Sequence, residues 1–171
     1  NKVINLYVDA INSTRWNYVL YRRVSILYDE YMKVLEQDYK ESASQTEKDA
    51  ILGEITRYAG NASDNSLRST DISRSVPKNW LNRVSIYYDL ISVGFNSYLP
   101  QGIDSVNGAK EVSPYNNVIY YYEAQFDLLE AKPKEATDAL RQSLYLNPNH
   151  IPSLVVAGDL EYANKNWVSS K

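Results

Sequence analysis

The sequence predicts an all-α fold built of stacked helix pairs, and three observations carry that expectation. The segment Arg23-Val24-Ser25-Ile26-Leu27-Tyr28-Asp29 recurs as Arg83-Val84-Ser85-Ile86-Tyr87-Tyr88-Asp89, identical at six of seven positions across an offset of 60. A second repeat, of period 34, places Tyr120 on Leu154, Ala124 on Gly158 and Pro133 on Trp167. That period suits a helix–turn–helix unit with one small residue where its two helices cross closely. Finally, apolar residues recur at steps of three and four throughout the chain, one stripe per helix.

Taken in chain order, residues 1–11 read as the end of a second helix belonging to an earlier repeat. The first full copy, 14–75, is expanded, with a stripe of Leu20, Val24, Leu27, Tyr31 and Val34 at steps of 4, 3, 4 and 3. Residues 37–47 read as a loop. A long, soft helix is expected around Ile51 to Ile72, because Gly53 and Gly60 lower its propensity and Asn61 to Ser66 is polar. The next copy, 77–114, opens with Trp80, Val84, Tyr87 and Ile91. A loop at 94–101 precedes its second helix, which carries Gly102, Val106 and Ala109. In 117–150 the stripe Ile119, Tyr122, Phe126 and Leu129 is followed by Ala136, Leu140, Ser143 and Leu144. Proline supplies the punctuation: Pro114 and Pro148 break the chain ahead of new helices. Pro133 and Pro152 sit in first turns, where a missing N–H costs nothing. The last segment, 151–171, is an incomplete copy with Leu154 and Ala157-Gly158 in its first helix, and Trp167 opening its second. The chain is therefore read as one repeat domain and as a fragment of something longer.

Composition narrows the function classes. With 18 Lys and Arg against 21 Asp and Glu, spread along the chain, no basic stripe exists to neutralise a run of phosphates, so nucleic acid is not expected. Cysteine is absent, which removes disulfides, thiol catalysis and thiolate zinc sites. No apolar run reaches the length of a membrane span. Aromatic usage is skewed to 16 Tyr against 2 Phe and 3 Trp, and a ring with a polar tip suits half-buried surfaces and interfaces.

Residues 117–150 resemble a tetratricopeptide repeat. Tyr120 stands at the aromatic position of the first helix, Ala124 at its small position, and Ala136, Leu140 and Ser143 at the small–large–small positions of the second. Pro148 closes the unit. Internal analogy extends the resemblance over 14–114. It implies a right-handed superhelix of antiparallel helix pairs, with the first helices lining a concave face. A narrower similarity of pattern, an expanded repeat followed by one of the Asn-Pro-Asn-His type, looks like the tails of bacterial membrane enzymes of the O-antigen ligase and polymerase class. That likeness implies the extracytoplasmic face of a bacterial membrane; composition alone leaves the compartment and the oligomeric state open.

By the tetratricopeptide resemblance, the fifth, ninth and twelfth positions of each first helix point into the groove. The first of these are Tyr21, Leu81, Tyr121 and Val155; the second are Ser25, Ser85, Gln125 and Asp159; the third are Tyr28, Tyr88, Leu128 and Tyr162. A Tyr-lined groove with small polar residues between the rings suits an extended protein or peptide segment, or a glycan. The same Tyr could instead pack against neighbouring repeats, and both uses stay open. The Lys and Asn of repeats that clamp a carboxy-terminal peptide are missing from these positions.

Nothing in the chain assembles a catalytic set. His150, the single histidine, follows Asn147-Pro148-Asn149 and reads as a solvated turn residue with no nucleophile or orienting group around it. The cluster Asn61, Asp64 and Asn65 lacks the spacing and terminal Glu of a calcium loop. Asn12-Ser13-Thr14 and Asn61-Ala62-Ser63 match the glycosylation sequon, which matters only in a eukaryotic secretory setting. The expectation is a non-catalytic interaction scaffold without a cofactor. The alternatives are the tail of a membrane glycan ligase or polymerase, and a structural spacer or oligomerisation unit.

Overall fold

A computed structural model describes residues 2–169, with side chains as far as residue 163. The described residues form eight α-helices and one short 3-10 turn, with no strand. They divide into two compact units, Asn1–Leu99 and Pro100–Lys171. The division falls inside the segment 77–114 that the repeat pattern groups together.

The first unit holds α1 (Lys2–Ser13), α2 (Tyr18–Glu41), α3 (Gln45–Ile72) and α4 (Pro77–Ser92), followed by the 3-10 turn Asn96–Tyr98. Each start has a local cause. Asn17 Oδ1 accepts from the Val19 N–H at the head of α2, Ser44 Oγ accepts from the Glu47 N–H at the head of α3, and Pro77 occupies the first turn of α4. Ser44 and Glu47 have the spacing of a capping box, so α3 begins at Gln45 rather than near Ile51. Because α2 also persists to Glu41, the loop expected over 37–47 shrinks to Ser42–Ser44.

The α2–α3 pair is the core of this unit. The face of α3 turned inward is made of small residues, Ala59, Ala62, Ser63, Ser66, Ser69 and Thr70 at helical spacing, all buried. Small side chains let the helix axes approach, and the Ser63, Ser66 and Thr70 hydroxyls are hydrogen-bonded, whereas the buried Ser69 Oγ has no hydrogen-bond partner among the described residues. Ser66 Oγ donates to the Ser63 carbonyl at 2.8 Å and Thr70 Oγ1 to that of Leu67 at 2.7 Å. This explains why α3 reads as weakly amphipathic: it packs through small and hydroxylated residues rather than an aliphatic stripe.

On α2 the expected stripe is rotated by about one residue. Tyr21, Val24, Ser25, Tyr28, Asp29 and Met32 are buried, whereas Val34 is 56% exposed and Tyr31 37%. The cause is the polar seam that joins α2 to α4. Asn82 Nδ2 donates to Ser25 Oγ at 2.8 Å, Arg22 donates to Asn79 Oδ1 at 3.1 Å, and Lys33 Nζ bridges Asp29 at 2.9 Å and Asp89 at 2.8 Å. Asn79 is fully buried and also donates to the Ser69 and Ser73 carbonyls, tying α4 to the end of α3. On α4, Val84, Tyr87 and Ile91 are buried as their spacing predicts, and Trp80 is half-buried. Helix α4 ends in a Schellman motif: Phe95 N–H donates to the Leu90 carbonyl and Gly94 N–H to that of Ile91. Gly94 lies at φ 103°, a conformation open to glycine.

The second unit holds α5 (Leu99–Val112), α6 (Asn117–Leu129), α7 (Pro133–Leu146) and α8 (Ile151–Ser169). Ala124, Ala136, Ala139 and Leu140 form its core, with Leu128, Val156, Ala157 and Leu160 packed against them. The small–large–small pattern of α7 is buried as expected, at Ala136, Leu140 and Ser143. Gly102 of α5 lies directly under the buried ring of Phe126, and Lys110 of α5 pairs with Glu123 of α6 at 2.7 Å. Leu129, expected in the α6 stripe, is 45% exposed because the helix ends there in a second Schellman motif. Ala131 is its left-handed residue, at φ 58°. Helix α8 continues unbroken to Ser169, past the point where a turn ahead of Trp167 is expected; the Trp167 side chain lies outside the described residues.

Candidate functional site

The residues expected on the concave face fall into both units. In the first, Tyr21, Ser25 and Tyr28 on α2 are buried, at 5%, 0% and 9% exposure, rather than displayed on an open surface. They occupy the rotated inner face of α2, where α1, α3 and α4 pack, and Ser25 is consumed by its hydrogen bond from Asn82. Leu81, Ser85 and Tyr88 on α4 are half-buried.

Tyr21 and Tyr28 nevertheless reach open space. They line one side of a cleft of about 420 Å³ between α1, α2 and α3. Val8 and Ile11 of α1 form an apolar flank. The remaining lining is polar: Asn12 and Arg15 at the end of α1, Asn65 and Arg68 on α3. Burial pushes the Tyr28 phenol above its ordinary range, aided by the neighbouring Tyr58, so it faces the cleft as a neutral hydroxyl. The Tyr28 and Tyr58 rings lie 5.7 Å apart, and Tyr58 also carries Arg57 at 4.8 Å. Sequence reasoning picks out the two Tyr but passes over Arg15 and Arg68. These lie far apart in the chain, and no local motif marks either.

Between α2 and α4, the Asp29–Lys33–Asp89 group joins the two copies of the sequence repeat at equivalent aspartates. Burial raises the Asp29 carboxyl to about 6 despite the Lys33 ammonium, with Asp89 adding like charge. For Lys33, burial opposes the charge, but its hydrogen bonds to Asp29 and Asp89 outweigh it and hold the ammonium above its usual range.

In the second unit, Tyr121 and Gln125 on α6 are half-buried and Tyr162 on α8 is 70% exposed. The Tyr121 ring meets His150 edge-on, with centroids 5.5 Å apart. His150 is thus no freely solvated turn residue: its Nδ1 lies 2.7 Å from Ser153 Oγ, which lies 2.8 Å from Ser143 Oγ. Ser143 also donates to the Asn117 carbonyl at 2.9 Å. The histidine therefore locks the junction of α6, α7 and α8. Among the described residues no group of three acidic or histidine side chains is placed to hold a metal ion, and no helix is long and apolar enough to cross a membrane.

The chain superposes on the crystal structure of YrrB, described as a TPR protein with an unusual peptide-binding site. The TM-score is 0.50 at 13% identity, covering 91% of this chain and 81% of YrrB. The fold is TPR-like. No family model and no curated protein matches the sequence. At this identity the likeness speaks for the TPR-like fold, an all-α helical repeat, and places no binding residue on this chain.

Proposed function

We propose that this chain is a non-catalytic interaction scaffold that binds a protein or peptide segment. In this reading α2 with α3, α4 with α5, and α6 with α7 are successive repeats over 14–75, 77–114 and 117–150. Helix α1 ends an earlier repeat and α8 begins the next. The observation that carries the reading is the cleft of about 420 Å³, in which Tyr21 and Tyr28 of a first helix face open space beside polar side chains. Its volume lies within the roughly 300–1,000 Å³ span of ligand-sized sites, and phenol edges offer contact area at low entropic cost. In the first unit the half-buried Leu81, Ser85 and Tyr88 on α4 are further candidates, and in the second unit the half-buried Tyr121 and Gln125 and the exposed Tyr162 are candidates. The peptide-binding site named for YrrB is consistent with this use of a TPR-like fold.

The test is selection of displayed linear peptides on the intact chain, followed by amide NMR of the enriched binders. The expected result is enrichment, with the shifts concentrated on α2, α4 and α6 and on the cleft. Absence of enrichment, or shifts confined to α5 and α7, rejects the reading.

A further inference from the structure

Resting on that reading, we infer that the cleft of the first unit is an anion-recognising site whose ligand is an acidic peptide segment, held through Asp or Glu side chains. The lining carries two guanidinium groups, Arg15 and Arg68, and no carboxylate. Neither arginine makes a hydrogen bond or ion pair among the described residues. Of the acids one turn from Arg68 on α3, Asp71 lies 3.7 Å from Arg74, and Asp64 makes no ion pair among the described residues. Two like charges converging on one concavity repel each other, and a carboxylate placed between them relieves that repulsion. Guanidinium also matches carboxylate as a two-pronged donor.

The other polar groups have the complementary chemistry. The Tyr21 and Tyr28 hydroxyls make no hydrogen bond within the chain among the described residues, although both residues are buried. Asn12 likewise keeps its carboxamide unspent, whereas Asn65 uses only one donor, on the Asn61 carbonyl at 2.7 Å. Phenol and carboxamide donors suit carboxylate oxygens and the carbonyls of an extended backbone. The cleft volume admits an acidic side chain with a short stretch of flanking backbone, and is too small for a docked helix. Charge complementarity thus selects an acidic linear segment over a basic or purely apolar one.

The test uses the intact chain and two pools of fluorescein-labelled hexapeptides, uncharged and randomised except at two central positions. One pool carries Asp or Glu there, the other Asn or Gln. Fluorescence anisotropy should show binding of the acidic pool, at least ten-fold weaker binding of the amide pool, and at least ten-fold loss of acidic binding in R15Q/R68Q. Both arginines are exposed, so circular dichroism of R15Q/R68Q should match the parent. Equal binding of the two pools, or acidic binding unmoved by R15Q/R68Q, overturns the inference and leaves the scaffold reading standing. Failure of both pools to bind overturns both. Displacement of the acidic pool by inorganic phosphate, where sodium chloride of equal ionic strength displaces nothing, overturns the peptide assignment in favour of a free anion.

Discussion

Substituting Gly102 by Ala tests the packing of the second unit, because the same change has opposite signs at different glycines of this chain. A Cβ at Gly102 would lie 2.5 Å from Cε1 and 2.7 Å from Cζ of Phe126. Carbon atoms in contact sit about 3.5–4.0 Å apart, so the ring has to retreat by roughly 1 Å. Phe126 is 2% exposed, and the cavity it lines is small, about 60 Å³. Overpacking of this kind costs about 1–3 kcal/mol, and the helix propensity gained by replacing Gly offsets about 1 kcal/mol. The net expectation is destabilisation by about 1 kcal/mol, or roughly 2–4 °C in melting temperature for a chain of this size. Gly53 and Gly60 are interior to α3, and a Cβ there meets nothing within 4 Å. Gly53→Ala and Gly60→Ala should therefore each stabilise by about 0.5–1 kcal/mol. Scanning calorimetry of the three variants gives the comparison, and Phe126→Leu added to Gly102→Ala should recover part of the loss. If Gly102→Ala raises the melting temperature as the α3 variants do, the close approach of α5 to the Phe126 ring is wrong.

Ala131 holds the left-handed position of the α6 Schellman motif at φ 58°, so Ala131→Gly should stabilise by about 1 kcal/mol; urea denaturation that shows a loss refutes this. Asn79→Ala strands the Arg22 contact and the Ser69 and Ser73 carbonyls in a fully buried site. A loss of about 2–4 kcal/mol is expected by the same assay, and a change below about 0.5 kcal/mol denies the polar seam its role. Folding raises the Asp29 carboxyl from 3.8 to about 6, so its contribution is fully present below 3.8 and is lost as pH rises through 6. Full conversion of this buried carboxyl corresponds to about 2–3 kcal/mol. The stability of the parent relative to Asp29→Asn should therefore fall by that amount between pH 4 and pH 7. A difference that stays flat or grows with pH contradicts the burial of this carboxyl.

What the amino-acid order determines by itself is the set of helices and their repetition. Periods of three and four, Asn at N-caps and Pro in first turns act within a few residues, so α4, α6 and α7 are legible from local pattern. Even α3 is visible, although Ser44 and Glu47 start it earlier than its apolar residues suggest. The fate of each side chain is a different matter, because it depends on which helix arrives opposite. Tyr21, Ser25 and Tyr28 stand at groove positions by repeat analogy, yet packing buries all three and leaves Tyr21 and Tyr28 facing only the cleft beside α1 and α3. Val34 belongs to the apolar stripe but is exposed, since the seam to α4 is built from hydrogen bonds and an ion pair that turn polar residues inward. Asp29 and Asp89 are recognisable as repeat equivalents; only packing brings both to Lys33. Arg15 and Arg68 have no relation in the sequence at all, and they share a cleft because α3 folds back along α2 past the end of α1. Local rules decide where the chain is helical, whereas burial and convergence of charge are set by contacts between residues distant in sequence.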